Sequence, residues 1–381
     1  MGRLRLLDIL RGFAILGTLG TNIWIFATLA DFSSFRSMTS NWWDSADTII
    51  MTVFSFFTNG KFLSLLTILF GAGLELKRRK LERTKGLWPW LYIWSAALLF
   101  IDGLIHFIFV FEYDILMSYA VTALIVALLV NRKKIIIKWV VGICTAIHIL
   151  GVSLGSVAFY FLLRDKEFIT EYEQSVTDIA NLYMHGSWFD QIQMRLLDFL
   201  MLRGEAIMVI PMNIILFFLG IMLVRSGIFA MDDEGRRKRK KLLQYGLLLG
   251  IPLNALIFVP GGMFDISVRY LFSPVLAIGY IGLFAIFLEK RENSFLLARL
   301  EEVGKVALSC YILQNIVCSV LFYGWGFGLS NYFNGINTLM LWLFVCIVMF
   351  LFAHVWLRFF KLGPFEYAWR ALGNLPFRGN S

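Results

Sequence analysis

The chain has 381 residues, is 59% hydrophobic and only 16% charged, and carries a mean hydropathy of +0.73 with a formal net charge of +9. Soluble domains of this length hold far more charge, so the composition excludes a water-soluble core and describes a polytopic membrane protein. The positive excess sits in short segments between apolar runs, with no soluble fold around it, which excludes nucleic acid as a partner.

Ten apolar stretches are predicted as spans, at about 6–30, 46–76, 87–110, 115–130, 135–163, 196–224, 242–259, 268–288, 303–323 and 336–357. The fold class is therefore all-α, a membrane helix bundle. Alternate connections are basic: Arg3, Arg5 and Arg11, then Lys77–Lys80 with Arg83 and Lys85, Arg132–Lys134, Arg236–Lys241, and finally Arg358, Lys361, Arg370 and Arg378. The others are acidic, with Asp31, Asp44, Asp47, Asp114, Glu167, Glu171, Glu173, Asp178 and Asp190. The positive-inside rule then puts both termini in the cytoplasm, and the run Arg236–Lys241 is expected to rest on anionic lipid. The first apolar run is too long for the core of a cleaved signal peptide, and Asp8 and Arg11 interrupt its start.

In the first span, Asp8, Arg11, Thr18 and Asn22 fall on one polar line. From Arg11 to Asn22 that line climbs about 16 Å, roughly half of the hydrocarbon core. Charged groups within membrane segments are expensive and usually paired, so Asp8 and Arg11 are expected to pair inside the bundle. The second stretch is too long for one straight crossing and breaks at Thr58-Asn59-Gly60-Lys61. Lys61 needs a partner at that depth, and either an anionic ligand group or a carboxylate such as Asp47 would serve. Phe70-Gly71-Ala72-Gly73 reads as a small-residue helix contact, and without a following Lys-Ser/Thr it is not a phosphate loop.

Asp102 and His106 in the third span lie one turn apart and share a face, so Asp102 is expected to orient the imidazole. Asn22 and His106 fall at similar depth in the outer half and are expected to line one cavity. His148 and His354 have no carboxylate nearby in sequence and read as structural. The polar segment 164–195 is either an amphipathic cover over the outer mouth or a solvated connector. Further on, Arg203 and Glu205 suggest an internal ion pair, and Arg269 stands opposite Asp265. In the ninth span Ser309, Tyr311, Gln314 and Asn315 either line a cavity or bond helices together, the second being favoured. The four cysteines all lie in spans and read as buried small hydrophobes with no metal spacing. Motifs for serine hydrolysis, zinc catalysis or dithiol chemistry are missing.

Several motifs together resemble the YeiB-like bacterial membrane proteins (domain of unknown function 418). They are Leu7-Asp8-Ile-Leu-Arg11-Gly12-Phe-Ala with Asn22, Gly60-Lys61-Phe62-Leu63 leading to Leu69-Phe70-Gly71-Ala72-Gly73, and Gly103-Leu-Ile-His106 followed by Asp114-Ile115-Leu116 and Tyr119. Gly304-Lys305-Val-Ala-Leu-Ser309-Cys-Tyr311-Ile-Leu-Gln314-Asn315 and the closing Gly363-Pro364-Phe365-Glu366-Tyr367-Ala-Trp369-Arg370 complete the set. That family is in turn distantly similar to the transmembrane acyltransferases of surface sugars and of heparan glucosamine. Asn22, eleven residues after Arg11, follows the heparan pattern, but no histidine occurs within 23–43 where that type carries one. The resemblance implies one integral-membrane domain, with acyltransferase-like helices over 1–163, an outer segment at 164–195 and the YeiB-type helices over 196–381.

Two functional readings follow. In the first, a membrane acyltransferase takes an acyl, most simply acetyl, group from cytoplasmic acyl-coenzyme A. Arg11, Asp8, Lys61 and Gln314 form the donor side; His106, oriented by Asp102, acts as base or acyl carrier; Asn22 faces the developing oxyanion. The acceptor is a small molecule, sugar or lipid at the outer side, and no metal takes part. In the second, a transporter or lipid-handling protein uses the same polar stripe without covalent chemistry. The location is the bacterial cytoplasmic membrane, the surrounding partners are lipids, and assembly as a homodimer stays open.

Overall fold

The computed structural model describes residues 2–29, 41–84, 86–230, 232–332 and 334–373, with backbone only at 2–4 and 331. Asp31, Lys85, Arg378 and the Arg3 side chain lie outside the described residues. In chain order the helices are α1 Gly2–Ala27, α2 Ala46–Thr58, α3 Lys61–Arg83, α4 Trp90–Phe109, α5 Leu116–Leu129 and α6 Lys134–Leu162. Next come α7 Lys166–His185, α8 Trp188–Leu197, α9 Phe199–Leu202, α10 Gly204–Met208, α11 Ile210–Arg225 and α12 Asp233–Asn254. The series closes with α13 Asp265–Ser267, α14 Ser273–Lys290, α15 Phe295–Lys305, α16 Ala307–Phe322, α17 Gly335–Phe359 and α18 Pro364–Gly373. Among the described residues the regular structure is helical throughout, so the protein is an all-α membrane bundle.

Among the described residues seven segments are long and apolar enough to cross a membrane, or eight when the pair α15–α16, bent by 89°, counts as one. This is fewer than the ten expected spans, for a reason of length. Helix α5 has 14 residues and α11 has 16, so they rise only about 21 and 24 Å against a core of about 30 Å. The expected span at 196–224 is interrupted around Arg203-Gly204-Glu205 into α9, α10 and α11. Trp139, Leu150, Leu154 and Phe161 on α6 point outward, as lipid-facing side chains do.

Helix α1 is the hub, packed against α2, α3, α14, α15, α16 and α17. Two glycines allow this. A Cβ on Gly12 would stand 1.9 Å from the Leu300 carbonyl oxygen, and one on Gly304 would stand 1.7 Å from that of Asp8. The backbones of α1 and α15 therefore touch, which needs residues without side chains. Gly71 repeats the device between α3 and α11, where its Cβ would meet the Phe217 carbonyl oxygen at 2.1 Å.

The break between α2 and α3 nests in a second irregularity. Gly60 adopts φ +75° against the Arg269 carbonyl, and the π-helical turn Val268–Phe272 precedes α14. Ser273 Oγ lies 3.0 Å from the Asn59 carbonyl oxygen and 2.6 Å from that of Val268, and Asn254 Nδ2 donates to that of Phe272 at 3.0 Å. Side chains thus add hydrogen bonds to backbone carbonyls where the helices are broken.

The segment 164–195 forms two capped helices, not a bare connector. Asp165 caps α7, and Ser187 with Asp190 forms a capping box on α8. Arg195, fully buried, ties α8 to the end of α4 through Glu112 at 3.3 Å, Tyr183 Oη at 3.2 Å and the Ile108 carbonyl at 3.2 Å.

Candidate functional site

The turn after α4 brings Asp114 back against His106. Asp114 Oδ2 accepts from the Leu116 and Met117 amides at 2.9 and 3.4 Å, capping the start of α5 and fixing the carboxylate. Its Oδ1 lies 3.1 Å from His106 Nδ1 and receives the Tyr311 hydroxyl at 3.2 Å. On the other side of the ring, His106 Nε2 is 3.1 Å from Asn315 Nδ2, and Asn22 Nδ2 reaches Asn315 Oδ1 at 3.5 Å. With the Asn315 amide donating to Nε2, the ring proton sits on Nδ1, facing the carboxylate. Asn22, Asn315, His106, Asp114 and Tyr311 form one buried relay drawn from α1, α4, α16 and the α4–α5 turn.

Two cavities flank this relay. The outer one, about 60 Å³, is lined by Thr18, Asn22, Asp114, Arg203, Glu205 and Arg269 among others. Asn213 supports it by donating to Ser118 Oγ at 2.9 Å. The inner one, about 450 Å³, has apolar walls from Ile15, Leu66, Leu69, Phe70, Ala96, Leu99 and Ala123. Around it stand Arg11, Lys77, Lys305 and Arg370. Ile115, Tyr119 and Tyr311 line both cavities, so one layer of side chains divides them. Helix α18 borders the inner cavity with Trp369 and Arg370. Its Glu366 accepts from the Leu308 and Ser309 amides at 2.8 and 3.2 Å and from the Ser309 hydroxyl, capping α16 at the bend.

The residues expected from the sequence are distributed as follows. Asp8 and Arg11 pair at 3.0 Å, and Arg11 borders the inner cavity, while Thr18 and Asn22 border the outer one. His106 borders neither cavity, since Asp114 and Asn315 enclose its ring. Asp102 forms no hydrogen bond or ion pair with His106; its polar neighbour is the Trp369 indole, and the carboxylate on the imidazole is Asp114. Lys61 is fully buried away from both cavities, and its Nζ donates to the Ser55 carbonyl at 3.3 Å. Asp47 instead receives the Gly335 amide at 2.6 Å. Gln314 is also remote from the cavities, with both amide atoms buried and unbonded.

The expected pair Arg203–Glu205 does not form. Glu205 bonds Arg269 at 2.7 Å, whereas Arg203 Nη1 donates to the Asp114 carbonyl at 2.9 Å. The turn that carries Asp114 faces Arg203, and the π-helical turn before α14 faces Glu205, which a linear reading cannot show. His148 is structural, with Nε2 3.0 Å from the Tyr270 carbonyl. His354 does have a carboxylate, Glu302 of α15 at 3.2 Å, but lies outside both cavities. Asn213 carried no local signal, and the partners of Arg203 and Glu366 were hidden because each acts on an element distant in sequence.

Residues 223–375 match a family described as "Protein of unknown function (DUF418)". The chain is 27% identical to the uncharacterized protein YxaH of Bacillus subtilis, covering 99% of this chain and 95% of that one. It is also 27% identical to the uncharacterized protein YeiB of Escherichia coli, covering 96% and 95%, and 25% identical to an uncharacterized 39.9 kDa protein of Bacillus acidopullulyticus, covering 97% and 93%. No solved structure matches the chain significantly. The likeness to these relatives runs nearly the whole length of the chain, the family match covers residues 223–375, and the chain is similar to the YeiB-like DUF418 proteins.

Proposed function

We propose that this protein is a membrane acyltransferase of the bacterial cytoplasmic membrane, passing an acyl group from acyl-coenzyme A at its basic end to a nucleophile in the outer cavity. One observation carries the reading: the two cavities share a single partition, Ile115, Tyr119 and Tyr311, beside the His106–Asp114 couple. The inner cavity suits the donor. A volume of about 450 Å³ falls within the range of small-molecule sites, its walls accept an acyl–pantetheine arm, and Arg11, Lys77, Lys305 and Arg370 match phosphates.

Asp114 is the member of the couple that faces the acceptor. The acceptor O–H or N–H attacks the thioester carbonyl and its proton passes to the Asp114–His106 couple. Asn22 faces the carbonyl oxygen as it gains charge. The C–S bond then breaks, and the proton held by the couple leaves with the thiolate. Asn315 occupies His106 Nε2, the Asp114 carboxylate stands 3.1 Å from Nδ1, and the ring borders neither cavity, so His106 serves as a proton partner and not as an acyl carrier.

The test is coenzyme A binding to purified protein by calorimetry, followed by acetyl transfer from acetyl-coenzyme A with native lipid or glycan extracts as acceptors. Micromolar binding and label transfer support the reading; failure to bind coenzyme A removes it. The 89° bend at α15–α16 and the thin partition favour one alternative, passage of a solute between the cavities without covalent chemistry. Solute flux in vesicles without coenzyme A binding would select it.

A further inference from the structure

Arg203 is a buried guanidinium with no carboxylate of its own. It is 4% exposed, and among the described residues it forms no salt bridge within 4.0 Å. The two carboxylates beside it in the outer cavity are committed elsewhere, Asp114 to His106 and Tyr311, and Glu205 to Arg269 and Tyr270. What Arg203 has is a neutral carbonyl, that of Asp114, and the face of Phe107 with the ring centre 4.0 Å away. Its Nε is buried without a partner, and so is Nε of Arg269, which borders the same cavity. Guanidinium stays charged at any physiological pH, and a buried charge without a counter-ion is strongly disfavoured.

We infer that the outer cavity is an oxyanion-binding site, and that its ligand carries a phosphate or carboxylate that Arg203 and Arg269 grip through their free N–H groups. A space of about 60 Å³ holds only a small group, so the anionic head enters with the hydroxyl nearest it and the rest of the ligand stays outside. A neutral sugar or alcohol leaves Arg203 uncompensated. Resting on the acyl-transfer reading, the acceptor is an anionic hydroxy compound, such as a phosphate-bearing polyol or lipid headgroup, with its hydroxyl directed at Asp114. The anion site itself stands without that reading.

The test uses full-length protein in phosphatidylcholine nanodiscs, titrated with glycerol phosphate and, as the neutral control, glycerol. Glycerol phosphate is expected to bind and to raise the melting temperature at matched ionic strength, and glycerol is not. Arg203→Gln is expected to weaken that binding about tenfold or more, the scale of a charge-assisted hydrogen bond, with Arg203→Lys recovering part of it. Competition from phosphatidylglycerol in the nanodisc would identify a lipid headgroup as the source; absence of competition would identify a soluble anion. Equal binding of glycerol and glycerol phosphate, or unchanged affinity in Arg203→Gln, overturns the inference. If Arg203→Gln does not fold, the wild-type shift decides, and no shift with glycerol phosphate overturns it. Anion binding without acyl transfer would keep the site and remove only its role as acceptor site.

Discussion

His106 Nδ1 stands 3.1 Å from Asp114 Oδ1 across the turn joining α4 to α5. This contact couples a proton-holding ring to a carboxylate that caps a helix and borders the outer cavity. Asp114 consequently has a structural duty beside the chemical one proposed for it, and substitutions must be chosen to separate them.

His106→Ala is expected to lower acyl transfer about 10²–10⁴-fold, the usual value of a general base, while the protein still reaches the membrane. His354→Ala, at a histidine outside both cavities, serves as the control and should keep near-normal turnover. Equal activity in two well-folded variants would remove His106 from the chemistry.

Asn22→Ala is expected to cost about 10²–10³-fold in turnover if its amide faces the oxyanion. Coenzyme A affinity should hold, because Asn22 borders only the outer cavity. A parallel loss of coenzyme A binding would mean that the substitution disturbs the bundle as a whole.

Gly304→Ala should destabilise the fold by about 1–3 kcal/mol, since its methyl would enter the Asp8 carbonyl. Gly151→Ala, with open space around it, should be neutral or mildly stabilising. Thermal unfolding in detergent compares the two, and identical midpoints would refute the backbone contact between α1 and α15.

A cysteine introduced within 164–195 should react with a membrane-impermeant reagent in intact cells, and one within 236–241 should not. The reverse pattern would turn the inner and outer assignments around.

Much of this architecture was readable where interactions are local. Asp8 and Arg11 are three apart on one helix, Gly71 lies within a small-residue run, and the polar line on α1 follows from periodicity alone. The relay was not readable as a whole. Asp102 and His106 satisfy the one-turn rule, but the chain reverses beyond Phe109 and supplies Asp114 instead, a choice set by the turn and not by helix spacing. Asn22 and Asn315 are 293 residues apart, and their meeting depends on how α16 bends away from α15 beside α1. Lys61 shows the same limit from the other side: a basic residue in an apolar stretch invites a ligand, yet the Ser55 carbonyl in the last turn of α2 receives it.

The thin partition of Ile115, Tyr119 and Tyr311 also has an electrical meaning. Where water-filled hollows approach each other from opposite sides, a transmembrane voltage falls mostly across the layer left between them. Moving one elementary charge through the full drop is worth about 2.3 kcal/mol per 100 mV. A neutral acyl group crossing at Tyr311 would be indifferent to that field, whereas a proton or an anion taking the same short path would feel nearly all of it, so the energised state of the membrane would act on this protein at three side chains.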